Sequence, residues 1–401
     1  MSEARAQGTR AAARRSLVAD FSLPALVAGF VTVLVGFSNS AVIVFEATQA
    51  LRATPAEVAS WMWALGLGMG LTCIALSLRY RVPVVTAWST PGAAMLITSA
   101  SGVPMAEAIG GFVVCAALMT VAGFTGAFER VMNRIPLALA SGMLAGVLLR
   151  FGLDVFAAMK TELALVLPMF AAYLVLRRLR PRYAVVGALA LGLAIAAARG
   201  MLRLDGVELA PTMPLWTTPR FSAASLFGIA LPLFVVTMAS QNVPGYALLR
   251  ASGYHAPVSP LIGWTGAATL ALAPFGAFAL NLAAITAAIC MGREAHEDPR
   301  RRYVAAVCAG GFYLLLGAFG ATIGAVFAAF PRELVLAIAG LALLGTIGNG
   351  LAAALADESE RECALVTFLV TASGVAFAGI GSAFWGLVAG VAARIVLRAG
   401  R

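Results

Sequence analysis

The chain has 401 residues, of which 61% are hydrophobic and 11% are charged, and its formal net charge at pH 7 is +10. Soluble domains carry about 25% charged residues, so this composition cannot coat a globular core, and the mean hydropathy of +0.92 indicates a polytopic membrane protein. The basic residues lie in short gaps between apolar runs, which is typical of the positive-inside rule and argues against nucleic-acid binding.

The N-terminal residues 1–20 precede the first apolar run and contain four arginines. That run extends from about Leu23 to Ala47, which is too long for the hydrophobic region of a cleaved signal peptide. We therefore interpret 1–20 as a cytoplasmic N-terminal segment and the run as the first membrane span.

Fourteen apolar segments follow one another between charged or proline-rich breaks. The first seven lie near residues 23–47, 58–78, 83–100, 104–128, 136–157, 162–177 and 182–200. The second seven lie near residues 222–250, 258–272, 274–291, 301–326, 333–355, 362–379 and 382–398. With both termini in the cytoplasm, 21 of the 28 basic residues fall in cytoplasmic segments, as the positive-inside rule requires. The sequence therefore predicts an all-α polytopic membrane protein with 14 transmembrane segments.

The first span contains polar residues near its middle and a carboxylate near its outer end. Ser38 and Asn39 are candidates for contact with a transported substrate, and interhelical hydrogen bonding is the alternative explanation. Glu46 is a candidate carrier of a coupled proton, and a carboxylate at the membrane interface is the alternative.

The third span, VPVVTAWSTPGAAML, is interrupted at its centre. The β-branched and aromatic residues after Pro83 favour an extended backbone. Thr90 is a good N-cap residue, and Pro91 suits the first position of a helix. The pattern predicts an extended half followed by a half-helix that begins near mid-membrane, and a proline kink in a structural helix is the alternative.

The eighth span contains two amides, Gln241 and Asn242, about twenty residues into the apolar run. Buried amides need hydrogen-bond partners. A substrate's polar end is one candidate partner, and a neighbouring helix is the alternative.

The tenth span matches the third when Pro274 is aligned with Pro83, and Asn281 then lies opposite Thr90. The alignment predicts a second half-helix, capped by Asn281. Two half-helix N-termini would direct unbonded N–H groups and partial positive charge into one cavity. Such a cavity suits an anion and needs no buried lysine or arginine.

The two halves of the chain share further spacings. Pro104 and Pro136 are 32 residues apart, as are Pro299 and Pro331, and each proline precedes an apolar span. A Phe-Ser pair opens both the first span, at 21–22, and the eighth, at 221–222. A repeat of seven spans must be inverted in the membrane, and inverted repeats are typical of secondary transporters. The sequence therefore predicts a 7+7 inverted repeat.

The residue types that bind metals or catalyse reactions are sparse and scattered. The five cysteines contain no CxxC pair, and His255 and His296 fall in predicted loops. We predict no metal, no cofactor and no enzyme activity, because no catalytic cluster lies at membrane depth. A passive channel is another alternative, but it gives no reason for inverted halves.

Motifs in both halves resemble the benzoate/proton symporter family of bacterial inner membranes, and the resemblance extends from about residue 20 to residue 398. The motifs are YRVPVVTAWSTPGAAML, LPLFVVTMASQNVPG, GYHAPVSPLI, AAITAAIC, EAHEDP and VTASGVAFAGIGSAFWGL. That family is similar to the larger fold of the uracil and sulfate permeases. The resemblance implies a core domain formed by 21–135 (spans 1–4) and 221–330 (spans 8–11). It implies a gate domain formed by 136–220 (spans 5–7) and 331–401 (spans 12–14), through which members often form homodimers.

The resemblance also implies a substrate site. Its main-chain contacts map to Trp88–Gly92, which includes Ser89, Thr90 and Gly92, and to Leu280–Ala283, which includes Asn281 and Ala283. Trp88 and Phe278 flank the breaks and are candidates to contact an aromatic ring. In the uracil permeases two glutamates bind the base, whereas Gln241, Asn242 and Asn281 occupy that neighbourhood here. This departure argues against a nucleobase and favours a carboxylate.

The function that the resemblance implies is secondary active transport. The protein is expected to import an aromatic carboxylate, benzoate, by proton symport through an elevator-like motion of the core domain. Its partners are then the carboxylate, protons and the bilayer of the bacterial inner membrane. A nucleobase or inorganic-anion permease of the same fold is the alternative.

Overall fold

The computed structural model describes residues 17–100, 102–126, 128, 136–202, 211–320, 330–375, 377 and 382–398, and this part of the chain is mostly helical. The helices of the first half are α1 (Leu17–Asp20), α2 (Leu23–Ala50), α3 (Pro55–Tyr80), α4 (Thr90–Ser99), α5 (Met105–Phe124), α6 (Leu137–Thr161), α7 (Leu163–Leu179) and α8 (Ala184–Ala198). A 3-10 turn, Pro181–Tyr183, precedes α8.

The second half begins with α9, a continuous helix built from five segments: Ala223–Ser225, Leu226–Ala230, Leu231–Thr237, Met238–Asn242 and Val243–Ala251. The second and fourth of these segments are π-helical. The remaining helices are α10 (Val258–Leu272), α11 (Ala287–Met291), α12 (Tyr303–Ala318), α13 (Arg332–Leu355), α14 (Arg361–Ala372) and α15 (Ser382–Arg398), with 3-10 turns at Ala273–Phe275 and Pro299–Arg301.

Six helices of the described residues are long and apolar enough to cross a membrane. They are Pro55–Tyr80, Met105–Phe124, Leu137–Thr161, Leu226–Ala251, Val258–Phe275 and Arg332–Leu355. These helices confirm the prediction of a predominantly helical membrane protein.

Several helices begin where the sequence predicts. Ser22 caps α2, where its hydroxyl accepts a hydrogen bond from the Ala25 N–H, and Ser222 caps α9 in the same way from the Ser225 N–H. Each of the two Phe-Ser pairs therefore lies at the start of a helix, with its serine as the N-cap. Prolines also occupy the N-cap positions of α5, α6 and α13, where a missing N–H costs little.

The helices pack in pairs that join the two halves of the chain. Helix α3 packs against α12, α5 against α10, and α6 against α13. Small residues allow these close approaches: a Cβ placed on Gly66 of α3 would lie 2.5 Å from the Cα of Gly317 in the last turn of α12. Contacts between small residues replace the hydrophobic effect as the packing force between helices in lipid.

Two short strands, β1 (Thr86–Ala87) and β2 (Asn281–Leu282), pair antiparallel in the interior. Thr86 lies opposite Leu282, and Ala87 lies opposite Asn281. Both strands are almost fully buried, so the irregular backbone is enclosed by protein, which is the condition for tolerating it at membrane depth.

Candidate functional site

The third predicted span is broken as the sequence predicts. Helix α3 ends at Tyr80, and its C-cap, Arg81, has a left-handed backbone (φ 53°). The chain then runs extended through β1 before α4 begins at Thr90. The predicted extended half and half-helix are therefore confirmed for this segment, and the alternative of a proline kink is excluded.

The N-cap of α4 is Ser89, so the prediction that Thr90 caps this helix is wrong by one residue. The Ser89 hydroxyl accepts a hydrogen bond from the Gly92 N–H at 3.1 Å. It also accepts one at 2.9 Å from the Thr237 hydroxyl of α9, which holds Ser89 in its capping position. Pro91 consequently occupies the second helical position, because Thr90 already has helical geometry.

The tenth predicted span is broken in a different way. Its extended stretch is present as β2, and the Ala283 N–H donates to the Val85 carbonyl at 2.9 Å. The prediction that Asn281 caps a half-helix is wrong, because Asn281 lies in β2 and α11 begins at Ala287 and has only five residues. The alignment fails because Pro274 lies in a 3-10 turn that prolongs α10, whereas Pro83 follows the end of α3.

Side chains from the flanking helices hold the two strands. The Thr86 hydroxyl lies 2.6 Å from the Thr72 hydroxyl and donates to the Met69 carbonyl at 3.1 Å. On the other strand, the Leu282 N–H donates to Asn242 Oδ1 at 3.0 Å. Asn242 is completely buried, and its amide bonds to the backbone of β2 and, among the described residues, not to a neighbouring helix.

A cavity of about 320 Å³ lies beside the paired strands. Its wall is formed by residues of α2, α3, β1, α4, α6, α9, the segment after β2, and α12. The lining residues are Val35, Gly36, Ser40, Met69, Ala87, Trp88, Thr90, Pro91, Phe151, Gln241, Ala283, Ala284, Ile285, Thr286 and Tyr313.

Four predicted site residues line this cavity: Trp88, Thr90, Gln241 and Ala283. Gln241 is half-buried and lies in the π-helical part of α9. Such insertions occur frequently at functional sites. The structure therefore brings together residues from three separate parts of the sequence.

Other predicted site residues lie behind the cavity wall. Ser89, Gly92 and Asn242 are buried and hold the backbone in place. Asn281 is also buried: its Nδ2 donates to the Ala279 carbonyl at 2.9 Å, and its Oδ1 has no hydrogen-bond partner among the described residues.

The predicted role of Phe278 as an aromatic contact for the substrate is wrong. Its ring is fully buried and packs against Trp61 and Phe112, with ring centroids 5.5 and 5.8 Å away. Residues that flank a break in the sequence can face either side of it, and the strand pairing turns Phe278 away from the cavity.

Two predicted contacts on α2 cannot be placed at the cavity. The side chains of Ser38 and Asn39 lie outside the described part of the structure, although Gly36 and Ser40 of the same stretch line the wall. Glu46, the predicted proton carrier, is exposed near the C-terminal end of α2 and does not line the cavity.

The cavity is electrically neutral in its side chains but rich in backbone donors. No lysine, arginine, histidine, aspartate or glutamate appears among the described lining residues. No hydrogen bond in the described ranges uses the N–H groups of Thr90 and of residues 284–286. Polar groups without partners at a protected site are candidates for binding a ligand.

The free donors come mainly from the bend before α11, not from two helix ends. At α4, Pro91 has no N–H, and the N–H groups of Gly92 and Ala93 both bind Ser89. The expectation of two equivalent half-helix N-termini is therefore wrong. One helix, α4, begins at the cavity, and the unpaired bend after β2 supplies the other N–H groups.

Several lining residues escaped prediction. Ser40 accepts a hydrogen bond from the Trp88 indole N–H at 3.0 Å and donates to the Gly36 carbonyl at 2.7 Å. Thr286 lies within the AAITAAIC motif, so its position beside a break was a usable signal. Phe151 and Tyr313 are single aromatic residues in apolar spans, and no local pattern distinguishes them.

No group of three or more histidine, cysteine, aspartate or glutamate side chains that could hold a metal occurs in the part of the chain that the structure describes. A charged cluster does lie elsewhere, where the Arg177 guanidinium of α7 pairs with Glu294 at 3.3 Å. Burial raises the pKa of the Glu294 carboxyl, and nearby Arg177, Arg302 and Arg293 oppose that shift.

Comparison with known proteins identifies relatives along the whole chain. A family model described as "Benzoate membrane transport protein" matches residues 19–396. "Inner membrane protein YdcO" of Escherichia coli is 50% identical over 374 residues, which cover 93% of this chain and 96% of the relative. "Benzoate membrane transport protein" of Acinetobacter baylyi is 39% identical over 383 residues, which cover 96% of this chain and 97% of the relative.

The fold is similar to the structure described as "The overall structure of SLC26A9". The TM-score is 0.53 at 12% sequence identity, and the match covers 94% of this chain and 65% of that chain. At this identity the likeness concerns the fold alone. The resemblance that the sequence motifs indicated is confirmed by the family and by the relatives.

Proposed function

The chain belongs to the benzoate membrane transport protein family, and from that premise we propose that it imports benzoate across the bacterial inner membrane together with protons. It acts as a secondary transporter and catalyses no reaction. One relative is named a benzoate membrane transport protein, and another is named an inner membrane protein.

The observation that carries the proposal is the chemistry of the cavity. Its volume of about 320 Å³ lies at the lower end of the range of roughly 300–1,000 Å³ for ligand pockets, which suits a small substrate. Val35, Met69 and Phe151 supply apolar wall, while the free N–H groups of 284–286 supply donors. The apolar wall suits an aromatic ring, and the N–H donors suit a carboxylate.

The absence of charged side chains from the described cavity lining supports a carboxylate over a nucleobase. A nucleobase offers its own N–H donors, which need acceptors, whereas a carboxylate only accepts. Backbone donors and the positive end of the α4 dipole stabilise a single negative charge. Trp88, Thr90, Gln241 and Ala283 are the predicted residues that would touch the substrate directly.

We further propose that the chain has fourteen membrane spans in a 7+7 inverted repeat, with both termini in the cytoplasm. Matching Ser caps on α2 and α9 support the repeat. Helices α2–α5 pack largely with α9–α12, and α6–α8 pack largely with α13–α15, which supports a core domain (21–135 and 221–330) and a gate domain (136–220 and 331–401).

The transport motion proposed is an elevator-like displacement of the core domain past the gate domain. The composition of the cavity wall supports this motion. Among the described lining residues, Phe151 of α6 belongs to the proposed gate domain, and the others belong to the proposed core domain. Exposed leucines of α7, such as Leu167 and Leu174, leave an apolar gate surface for lipid or for a second copy in a homodimer.

Glu46 is proposed as the proton carrier. It lies on the same helix as the cavity residue Ser40, about 9 Å farther along the axis at 1.5 Å per residue. Its exposed side chain gives a proton access to the helix end without passing through the cavity.

Uptake of radiolabelled benzoate into proteoliposomes under an imposed pH gradient tests the function. Because neutral benzoic acid crosses bilayers unaided, protein-free liposomes provide the baseline. We expect protein-dependent accumulation that a protonophore abolishes and that excess uracil does not reduce. Competition by uracil, or uptake equal to the baseline, would refute the function. In the same assay, Glu46→Gln is expected to remove the dependence on the gradient while benzoate exchange at equal pH persists.

A further inference from the structure

Tyr313 of α12 differs from three other buried tyrosines of the described residues, Tyr173, Tyr254 and Tyr303. The hydroxyls of Tyr173, Tyr254 and Tyr303 bind Arg177, the Pro299 carbonyl and Asp20, respectively. Tyr313 is only 2% exposed and lines the cavity, yet its hydroxyl binds no group in the described residues. A buried tyrosine hydroxyl normally has a partner, because leaving it unpaired is costly.

The hydroxyl is also not sealed into the core. Several buried side-chain atoms of the described residues, such as Asn281 Oδ1, are both inaccessible to solvent and without a hydrogen-bond partner. Tyr313 Oη is not one of them, so it retains some accessible surface. Since Tyr313 is a lining residue, the accessible side of its hydroxyl is the cavity. A ligand in the cavity can therefore be its partner.

Thr286 faces the same corner of the cavity. A Cβ placed on Gly36 of α2 would lie 3.4 Å from Tyr313 Oη and 3.5 Å from Thr286 Cγ2, so these two atoms are within about 7 Å of each other. Thr286 lines the cavity, and neither its hydroxyl nor its N–H forms a hydrogen bond within the described ranges. Gly36 has no side chain to separate the two residues.

We propose that Tyr313 and Thr286 form the carboxylate-binding corner of the cavity, in which the Tyr313 hydroxyl donates to one oxygen of the substrate and the Thr286 hydroxyl or N–H donates to the other. The inference rests on the proposed function and specifies its site. It assigns Tyr313 the role of distinguishing a carboxylate from a neutral ring of the same shape. Hydrogen bonds to a charged group are about twice as strong as neutral ones, so this donor favours the anion selectively.

The test is the binding of benzoate and of benzamide, its neutral analogue, to purified protein in detergent. Tyr313→Phe removes the donor and preserves the ring. We expect it to weaken benzoate binding about tenfold or more and to weaken benzamide binding much less, so that discrimination between the two falls. Tyr254→Phe is the matched control, because it removes a hydroxyl bound to Pro299 outside the cavity, and it should leave both affinities unchanged.

Gly36→Ala provides a second variant that should fold normally. The new methyl group would lie at ordinary contact distance from Tyr313 and Thr286. Alanine also has a higher helix propensity than glycine, so the helix should not be destabilised. It should obstruct the corner and weaken benzoate binding at unchanged melting temperature. If the wild-type protein binds benzoate and both Tyr313→Phe and Gly36→Ala bind it with the wild-type affinity, this inference is overturned and the proposed function stands. Wild-type protein that binds neither ligand would refute both.

Discussion

At the scale of single residues, two adjacent amides have different tasks. The sequence shows Gln241 and Asn242 as a polar pair in an apolar helix but contains no local signal for which one faces the cavity. The π-helical turn at Met238–Asn242 turns Gln241 toward the cavity and Asn242 toward β2. The direction of a side chain on a distorted helix depends on that distortion, which residue types alone do not reveal.

Replacing each amide by leucine should separate these tasks. Gln241→Leu removes a polar group from the cavity wall and should abolish benzoate uptake with an unchanged melting temperature. Asn242→Leu leaves the buried Leu282 N–H without its acceptor, which should destabilise the protein by on the order of 1–3 kcal/mol. Uptake assays and thermal unfolding in detergent measure the two effects. Equal loss of stability in both variants would contradict the assignment.

At the scale of elements, the first break was predictable and the second was only partly so. Pro83 followed by β-branched residues favours extension, and Ser89-Thr90-Pro91 is typical of a helix start, so local preference determines β1 and α4. In the tenth span, the position of Asn281 is set by pairing with Ala87 in β1. That pairing joins residues far apart in the chain, and an alignment of prolines could not reveal it.

The cap of α4 provides a prediction at this scale. Ser89→Ala removes the acceptor for the Gly92 N–H and the partner of Thr237, which should cost about 1 kcal/mol of stability. Thr90→Ala is the matched control, because the Thr90 side chain caps nothing and forms no hydrogen bond in the described residues. Thermal unfolding should show a lower melting temperature for Ser89→Ala alone. A larger loss in Thr90→Ala would restore Thr90 as the cap.

At the scale of the whole molecule, composition and basic-residue bias were sufficient to predict the class of protein, and six helices suited to a membrane confirm it. The cavity was not predictable as a unit, because it combines residues from α2 to α12. The sequences around Tyr313 and Phe151 look like those of any other apolar span, so nothing local marks these two residues. Their importance comes from where the packing of distant helices brings them.

The contact between Arg177 and Glu294 also belongs to this scale, because it ties the proposed gate helix α7 to the loop after α11. The loop itself is held by Arg302, whose guanidinium donates to the carbonyls of Met291 and His296 at 2.8 and 2.7 Å. The Glu294 side chain is only 8% exposed. A rigid loop therefore presents a buried carboxylate to the gate.

This arrangement predicts how stability depends on pH. Burial raises the folded-state pKa of Glu294 above its ordinary value of 4.5, so the folded protein binds this proton more tightly than the unfolded chain does. The corresponding stability is complete below about pH 4.5 and is lost as the pH rises through the raised pKa. Glu294→Gln should flatten this part of the dependence of melting temperature on pH. Glu297→Gln, at an exposed position of the same loop, should not, and an unchanged slope in Glu294→Gln would contradict the prediction.

The account depends on a substrate binding in the cavity beside the paired strands β1 and β2. An experimental structure with bound benzoate tests this most directly. We expect the ligand in the cavity lined by Trp88, Gln241 and Phe151, with its carboxylate between Tyr313 and Thr286. Benzoate bound elsewhere, for example among the charged side chains near Arg177 and Arg293, with this cavity empty, would contradict the account.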